Sequence, residues 1–197
     1  MVSKAWNQLF SSEKYLRRLA ELKRNEEDFH HQVSQGLHSA AEDGLLDVVV
    51  YLLHRGADVE ETDSLGWRAL LFAAHNCHTD VAQVLLDHGA EVDSTDVNGN
   101  TALHQASGAW SWMEGGTDVV KLLLERGADP NRANNDGDTP LHKTFFNIED
   151  GGKHTDKVQL LVDGGADPHT ANLQGETPLA IAQARGYLDI VNLLSRV

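Results

Sequence analysis

Gly137-Asp138-Thr139-Pro140-Leu141-His142 is the stretch that decides the fold, because it recurs along the chain in step with a second motif, Gly127-Ala128-Asp129-Pro130. The second motif has further copies beginning at Gly56, Gly89 and Gly165, so that successive copies stand 33, 38 and 38 residues apart. The Thr-Pro-Leu-His part of the first motif has copies at the same intervals, namely Arg68-Ala69-Leu70-Leu71, Thr101-Ala102-Leu103-His104 and Thr177-Pro178-Leu179-Ala180. Two motifs that share one set of intervals predict a solenoid of stacked, similar units.

The pattern resembles the ankyrin repeat, which has a period of 33 residues, two helices and a Thr-Pro-Leu-His signature. The resemblance covers roughly Gln32 to Val197. It implies an all-α repeat solenoid of about five ankyrin repeats, each a helix-turn-helix with a hairpin finger. It also implies a role in binding other proteins, and no catalytic residues. We expect repeats at approximately residues 32–65, 66–98, 99–136, 137–174 and 175–197, after an N-terminal helical cap at residues 1–31.

The N-terminal segment does not fit the repeat. Apolar residues from Trp6 to Phe10 fall at helical spacing, and Ser11-Ser12 precedes a second amphipathic stretch. A capping role is expected, because a terminal repeat otherwise exposes the apolar face that inner repeats bury. The alternatives are a partner-binding helix and a mitochondrial presequence. Glu13 and Glu21 argue against a presequence, which is poor in acids.

The composition excludes several classes of function. The chain has 197 residues, a formal net charge of −14 and one cysteine. Because an acidic surface repels phosphate, we expect no nucleic-acid binding by the array. The lone Cys77 excludes an internal disulfide, and no apolar run approaches the roughly 18 residues that span a bilayer. These features predict a soluble monomer of the cytoplasm, or alternatively of the nucleus, that is neither secreted nor bound to membranes.

The sequence contains no pattern typical of catalysis. It lacks a glycine-rich loop followed by Lys-Ser/Thr, a His-Glu-x-x-His motif and a Gly-x-Ser-x-Gly motif. The segment His75-Asn76-Cys77-His78 is the nearest approach to a metal site, but Cys77 occupies the place that Gly44 and Gly186 hold in their repeats. A tetrahedral site also needs four converging ligands. We therefore expect no enzyme activity, no cofactor and no metal site.

Acidic residues are concentrated in the predicted fingers. The four windows that run from each motif glycine to the next signature residue hold 12 of the 25 acids of residues 32–197, and only two basic residues. Stacking places the fingers in a row, so this row should be a negatively charged ribbon. Such a ribbon attracts a protein or peptide with Lys or Arg residues and speeds its docking.

The second repeat departs most from the family signature, since Arg68 replaces the usual Thr and Leu71 the usual His. Trp67 precedes them at a position that points outward in the family, which makes it a candidate anchor for a partner. The alternative is that Trp67 packs on Arg68 or on the next finger. The expected partner-binding residues of the concave face are Glu61, Asp63, Leu65, Trp67, His75, Asp96, Asn98, Asn100, Asp136 and Asp138, with Glu61, Asp63 and Asp96 as a charged rim.

Repeats three and four each carry five extra residues, within the aromatic segments 107–116 and 145–154. We expect these inserts side by side on the edge opposite the fingers, either as an exposed interface or packed on each other. The bulky Thr144-Phe145 pair favours a longer first helix in the fourth repeat. The second candidate surface comprises Trp110, Trp112, Met113, Phe145 and Phe146.

Two further hypotheses remain open at the level of sequence. The resemblance makes Asn131 a candidate modification site, because ankyrin proteins are substrates of an asparaginyl hydroxylase at this position. Its counterparts in the other fingers are Glu60, Asp93 and His169. In place of a partner-binding concave face, the array could be a scaffold or regulatory fragment of a larger protein that uses the aromatic inserts for an intramolecular or subunit contact. The sequence does not distinguish either role from that of an effector delivered into a host cell.

Overall fold

The computed structural model describes residues 26–109, 116–146 and 155–197, with side chains from Val33 onward. Within these ranges the chain forms ten helices and no strand. None of the described helices combines the length and apolar character needed to cross a membrane. The helices are α1 (Glu26–Glu42), α2 (Leu46–His54), α3 (Ala69–His75), α4 (Thr79–Asp87), α5 (Ala102–Gly108), α6 (Gly116–Glu125), α7 (Pro140–Lys143), α8 (Thr155–Asp163), α9 (Pro178–Ala184) and α10 (Leu188–Leu194).

The described helices stack in two rows, as an all-α solenoid requires. In the inner row α1 packs on α3, α3 on α5 and α5 on α7. In the outer row α2 packs on α4, α4 on α6, α6 on α8 and α8 on α10. Long hairpin fingers connect each outer helix to the next inner helix. The expected helical cap lies outside the described residues as far as residue 25, and α1 begins at Glu26.

The repeated motif explains why the rows pack closely. The leucine of the Thr-Pro-Leu-His motif is buried in three successive inner helices. These leucines are Leu70, Leu103 and Leu141, each at most 1% exposed. Small alanine side chains lie beside this leucine in α3 and α5, and buried valine, leucine or isoleucine side chains cover the inward side of each outer helix. Burial of such side chains contributes about 1.5–3 kcal/mol for each large residue.

The turn between the two helices of a repeat requires a left-handed backbone. Gly44 and Gly186 have φ values of 67° and 73°, and Cys77 adopts the same conformation with φ 60°. At Gly44 a Cβ atom would stand 2.6 Å from the ring of His78, whose Nε2 lies 3.0 Å from the carbonyl oxygen of Glu42. The prediction that Cys77 takes a glycine position is therefore confirmed.

The first helix of the fourth repeat is short, so the expectation of a longer helix is wrong. Helix α7 has four residues, whereas α3 and α5 have seven. Phe145 occupies the place of Ala74 and Ser107, and its ring stacks on Tyr187 of the next repeat with centroids 6.4 Å apart. Arg185 also donates a hydrogen bond to the Phe145 carbonyl. The large buried ring lies between two repeats. The backbone forms a turn at residues 144–146, where the other inner helices continue.

Candidate functional site

The tips of the four fingers share one turn. At each tip the Oδ1 atom of an Asp or Asn accepts hydrogen bonds of 2.8–3.1 Å from the backbone N–H groups two and four residues ahead. A glycine with φ between 74° and 78° follows three residues after it. The turn residues are Asp63, Asp96, Asn134 and Asn172. The number of acidic residues in the fingers does not reveal that these side chains accept hydrogen bonds in a turn. The sequence pattern that predicts the turn is an Asp or Asn three residues before a glycine in every finger.

Hydrogen bonds join the four tips into a row. The backbone N–H of one tip donates to a carbonyl of the preceding tip at 2.9–3.1 Å, in the pairs Val97 to Leu65, Asn135 to Asn98 and Leu173 to Asp136. Asn134 also donates from Nδ2 to Oδ1 of Asn100 at 2.8 Å. Leu65 is 58% exposed, and Asn98 and Asp136 are also exposed. The row is therefore a fixed surface that presents these side chains outward.

Two of the predicted site carboxylates lie inside the fingers. Asp96 is 6% exposed, and its Oδ2 accepts hydrogen bonds from the side chains of Asn100 and Gln105. Asp138 is 3% exposed and accepts from the side chains of Asn172 and Lys143. The expectation of Asp96 as part of the charged rim is corrected, because its Oδ1 accepts from N–H groups of its own finger and its Oδ2 accepts from Asn100 and from Gln105 of helix α5. Glu61 and Asp63 are half-exposed.

The signature Thr and His tie neighbouring repeats together. The backbone N–H of Thr101 donates to Nδ1 of His104 at 3.1 Å, which fixes the proton on Nε2, and Nε2 donates to the carbonyl of Asp138 at 3.0 Å. His142 makes the same pair of bonds, to Thr139 and to the carbonyl of Glu176. Burial lowers the pKa of His104 to about 4 and also lowers that of His142. Both rings are therefore neutral structural groups.

The second repeat replaces this tie with a different one. Leu71, in the place of the signature His, is fully buried. Arg68, in the place of the Thr, donates from its guanidinium to the carbonyl of Thr95 at 3.1 Å, and its Nε lies 2.8 Å from Glu60. The Arg68 side chain thus joins the first two fingers.

Trp67 belongs to an aromatic cluster on the concave side. Its half-buried ring lies 4.9 Å from the ring of Phe72 and meets the ring of His75 edge-on at 5.5 Å, both measured between centroids. Phe72 also contacts the ring of His38 at 5.7 Å. We call Trp67, Phe72 and His75 the Trp67 cluster. The ring contacts of Trp67 are thus with helix α3.

A cleft of about 210 Å³ continues the surface from this cluster. Its lining includes His75 at one side, Asn100 of a finger, and Lys143 with Phe146 at the other side. Phe146 is 59% exposed, and the Lys143 ammonium lies 4.6 Å from the centre of its ring. Gln105 lies between the two sides, with its Oε1 3.3 Å from Nδ1 of His75. His75 belongs both to the Trp67 cluster and to the lining of the cleft, so the two adjoin. We call the cluster and the cleft together the groove.

The second predicted surface is divided by this arrangement. Phe145 is 1% exposed and is part of the core, so its place in the second candidate surface is corrected and the alternative of a packed side chain holds for it. Phe146 lines the groove beside a finger residue, so it lies with the concave face and not on the opposite edge. Trp110, Trp112 and Met113 lie outside the described residues.

Asn131 links two fingers through its carboxamide. Its Nδ2 donates to the carbonyl of Gly165, and its Oδ1 accepts from the backbone N–H of Asp167, both at 2.8 Å. Glu60 and Asp93 accept from the following finger in the same way. This position has a structural role in three fingers, and modification of Asn131 stays a prediction.

The side chains of the His75–His78 segment point to different places. His75 faces Gln105, Cys77 is buried and His78 bonds to Glu42. Burial raises the pKa of the Cys77 thiol. No group of three or more His, Cys, Asp or Glu suited to a metal ion occurs among the described residues.

Lys157 is a buried residue whose role was not apparent from the repeat alignment. It stands where neighbouring repeats have Val81 and Val119, and it is 4% exposed. Its ammonium donates to the carbonyls of Ala106 and Ala109 at 3.1 and 2.8 Å, where helix α5 ends. Burial lowers the pKa of this lysine. Lys157 therefore caps an inner helix from an outer helix of the next repeat.

Comparison with known proteins agrees with this architecture. A family model described as ankyrin repeats, in three copies, matches residues 37–134 and 109–196. No individual curated protein matches the chain. Ankyrin repeats are generally protein–protein interaction modules. The matched residues span most of the sequence and contain the stacked helix pairs, the finger row and the Thr–His ties, and the chain therefore belongs to the ankyrin repeat family.

Proposed function

We propose that this chain is a non-catalytic binding module whose concave face takes a partner protein or peptide with Lys or Arg residues. The contact surface runs from the Trp67 cluster through the cleft to Phe146. The observation that carries the proposal is the continuity of this groove, which has an aromatic side chain at each end and an acidic row of fingers along one side.

Trp67 is the proposed anchor. Its contacts with Phe72 and His75 hold the ring in one position, so little rotamer freedom is left to lose when a partner binds. A half-buried tryptophan in a fixed position still offers a large apolar contact area. Phe146 offers a second exposed ring across the cleft.

The finger acids supply the attraction to a basic partner. Hydrogen bonds from N–H groups favour the ionised form of a carboxyl group. Asp167 is an example, because the backbone N–H of His169 and the hydroxyl of Thr170 hold its pKa below its ordinary value. One of the two basic residues in the fingers, Arg68, is paired with Glu60. The net negative field speeds association and weakens as salt is added.

The test is capture of partners from a cell lysate with a chemical crosslinker, using the wild type, Trp67→Ala and the matched control Tyr51→Ala. Tyr51 is a 37% exposed aromatic residue on outer helix α2, away from the groove. We expect Trp67→Ala to reduce recovery of the partner about tenfold or more, as for a hot-spot residue. Tyr51→Ala should leave recovery unchanged. Equal recovery with Trp67→Ala and the wild type, both folded by circular dichroism, would refute the proposal.

A further inference from the structure

We infer that the first finger carries a binding site for an arginine side chain of the partner, formed by the carboxylate of Asp63 and the ring of Trp67. The inference rests on the proposed function, because it names the basic group that the concave face takes. It comes from a comparison of the first two fingers, which share one turn. They differ in the side chains at the two positions that bond to the turn carboxylate in the second finger.

In the second finger both oxygens of the turn carboxylate are occupied. Oδ1 of Asp96 accepts from backbone N–H groups, and Oδ2 accepts from Nδ2 of Asn100 at 3.1 Å and from Nε2 of Gln105 at 3.4 Å. The two side-chain donors stand four and nine residues after Asp96. This carboxylate is only 6% exposed and is closed to a partner.

In the first finger the same two positions hold aromatic residues. Trp67 and Phe72 stand four and nine residues after Asp63, and their ring centroids are 4.9 Å apart. Oδ1 of Asp63 accepts both bonds of the turn, and no residue that the structure describes donates a hydrogen bond to its Oδ2. The carboxylate is half-exposed, so one of its oxygens is available to a partner beside two aromatic residues.

The chain itself holds a cation between a carboxylate and an aromatic ring elsewhere on the concave face. In the fourth repeat the ammonium of Lys143 lies 3.4 Å from Oδ2 of Asp138 and 4.6 Å from the centre of the Phe146 ring. The first finger has no such cation of its own, because its basic residue, Arg68, is paired with Glu60. A basic group from the partner would supply it.

The combination of a carboxylate with a tryptophan favours arginine over lysine as the incoming group. A guanidinium is planar, so it stacks on the face of an indole ring while its N–H groups donate to a carboxylate. An ammonium concentrates its charge on one atom and is more strongly hydrated. The contacts of Trp67 with Phe72 and with the edge of His75 hold the indole ring in place before the partner arrives.

The experiment selects binders from a phage-displayed library of random linear peptides on the immobilised full chain. The bound pools are sequenced for the wild type, Asp63→Asn and the control Asp136→Asn. Asparagine keeps the acceptor of the turn, as Asn134 does in the third finger, and removes the charge. Asp136 is an exposed carboxylate at the tip of the third finger, so the control makes the same change of charge. We expect arginine to be enriched over lysine with the wild type and with Asp136→Asn, and not with Asp63→Asn.

Synthetic peptides from the wild-type pool then give affinities by fluorescence anisotropy. An arginine peptide should bind Asp63→Asn about tenfold more weakly than the wild type, because an amide nitrogen replaces the oxygen that accepts from the guanidinium. The same peptide with lysine in place of arginine should bind the wild type more weakly. Equal binding of the two peptides to the wild type would overturn the inference, as would equal binding of the arginine peptide to the wild type and to Asp63→Asn.

The same measurements separate the arginine site from the proposed function. If both peptides bind the wild type equally and both are lost with Trp67→Ala, the groove remains the binding face and only the arginine site is refuted. A wild-type pool dominated by peptides without Lys or Arg would contradict the proposed function, and the inference with it.

Discussion

At the scale of single residues, Asp and Asn do the same work at the tips of the fingers. Asp63 accepts from the N–H groups of Leu65 and Trp67, and Asn134 makes the equivalent pair of bonds two fingers later. The turn needs an acceptor at this position and does not need a charge. The charge is thus available for partner attraction without being required by the fold.

Substitution of Asp63 separates these two roles. Asp63→Asn keeps the acceptor, so we expect the free energy of unfolding to change by less than about 0.5 kcal/mol. Asp63→Ala removes two hydrogen bonds and should lower that free energy by about 1–3 kcal/mol. Urea denaturation of the two variants measures the difference. Equal losses in both would contradict the assigned turn.

The buried signature histidines predict a dependence of stability on pH. Burial lowers the pKa of His104 from 6.5 to about 4, so between these values the unfolded chain binds a proton that the folded chain does not. The neutral His104 ring therefore makes its full contribution to the free energy of unfolding above pH 6.5. As the pH falls from 6.5 towards 4, that free energy decreases by up to about 3 kcal/mol.

The variant His104→Leu tests this dependence, and leucine is the residue that the second repeat has at this position, as Leu71. The variant should be less stable at neutral pH because its hydrogen bonds are lost. Its loss of stability between pH 6.5 and 4 should be smaller than that of the wild type. Urea denaturation across this range measures both slopes, and identical slopes would exclude the assigned cause.

At the scale of elements, the short helix α7 decides which of two adjacent phenylalanines is structural. The helix ends at Lys143, and the following turn directs Phe145 into the core and Phe146 into the groove. The two residues are identical and adjacent, so no difference between them appears in the sequence.

These two positions make a matched pair for mutagenesis. Phe145→Ala leaves a cavity beside Tyr187 and should reduce the free energy of unfolding by about 3–5 kcal/mol. Phe146→Ala removes an exposed ring and should change it by less than about 0.5 kcal/mol. Thermal and urea unfolding of both variants checks the assignment, which fails if Phe146→Ala is the more destabilising.

The repeat period was sufficient to predict the features that recur in every repeat. The features that depend on side-chain contacts between elements or between repeats were not predicted. The interval of the motifs was sufficient to identify the solenoid and the glycine-like place of Cys77. The burial of Asp96 follows from side chains of its own finger and of the next inner helix, Asn100 and Gln105, which the acid count does not register. The cap supplied by Lys157 joins residues about 50 positions apart, and a lysine in place of a valine resembles a surface residue until the stacking is known.

At the scale of the whole molecule, stacking turns local features into one continuous surface. Each finger is hydrogen-bonded to its neighbour, and each inner helix packs on the next. The row of finger tips and the row of inner helices therefore form two adjoining parts of one surface. His75 of the Trp67 cluster comes from the second repeat and Phe146 from the fourth, and both line a single cleft. This continuity is why we assign both to one binding face.

The most direct test of that assignment is photocrosslinking from defined positions. A photoreactive phenylalanine analogue replaces His75 in the groove, or Tyr51 on the outer row, and each protein is irradiated in lysate of the cells that produce it. The account predicts a crosslinked partner from position 75 and none from position 51. The same partner crosslinked from position 51, with none from position 75, would show that the concave groove is not the binding face.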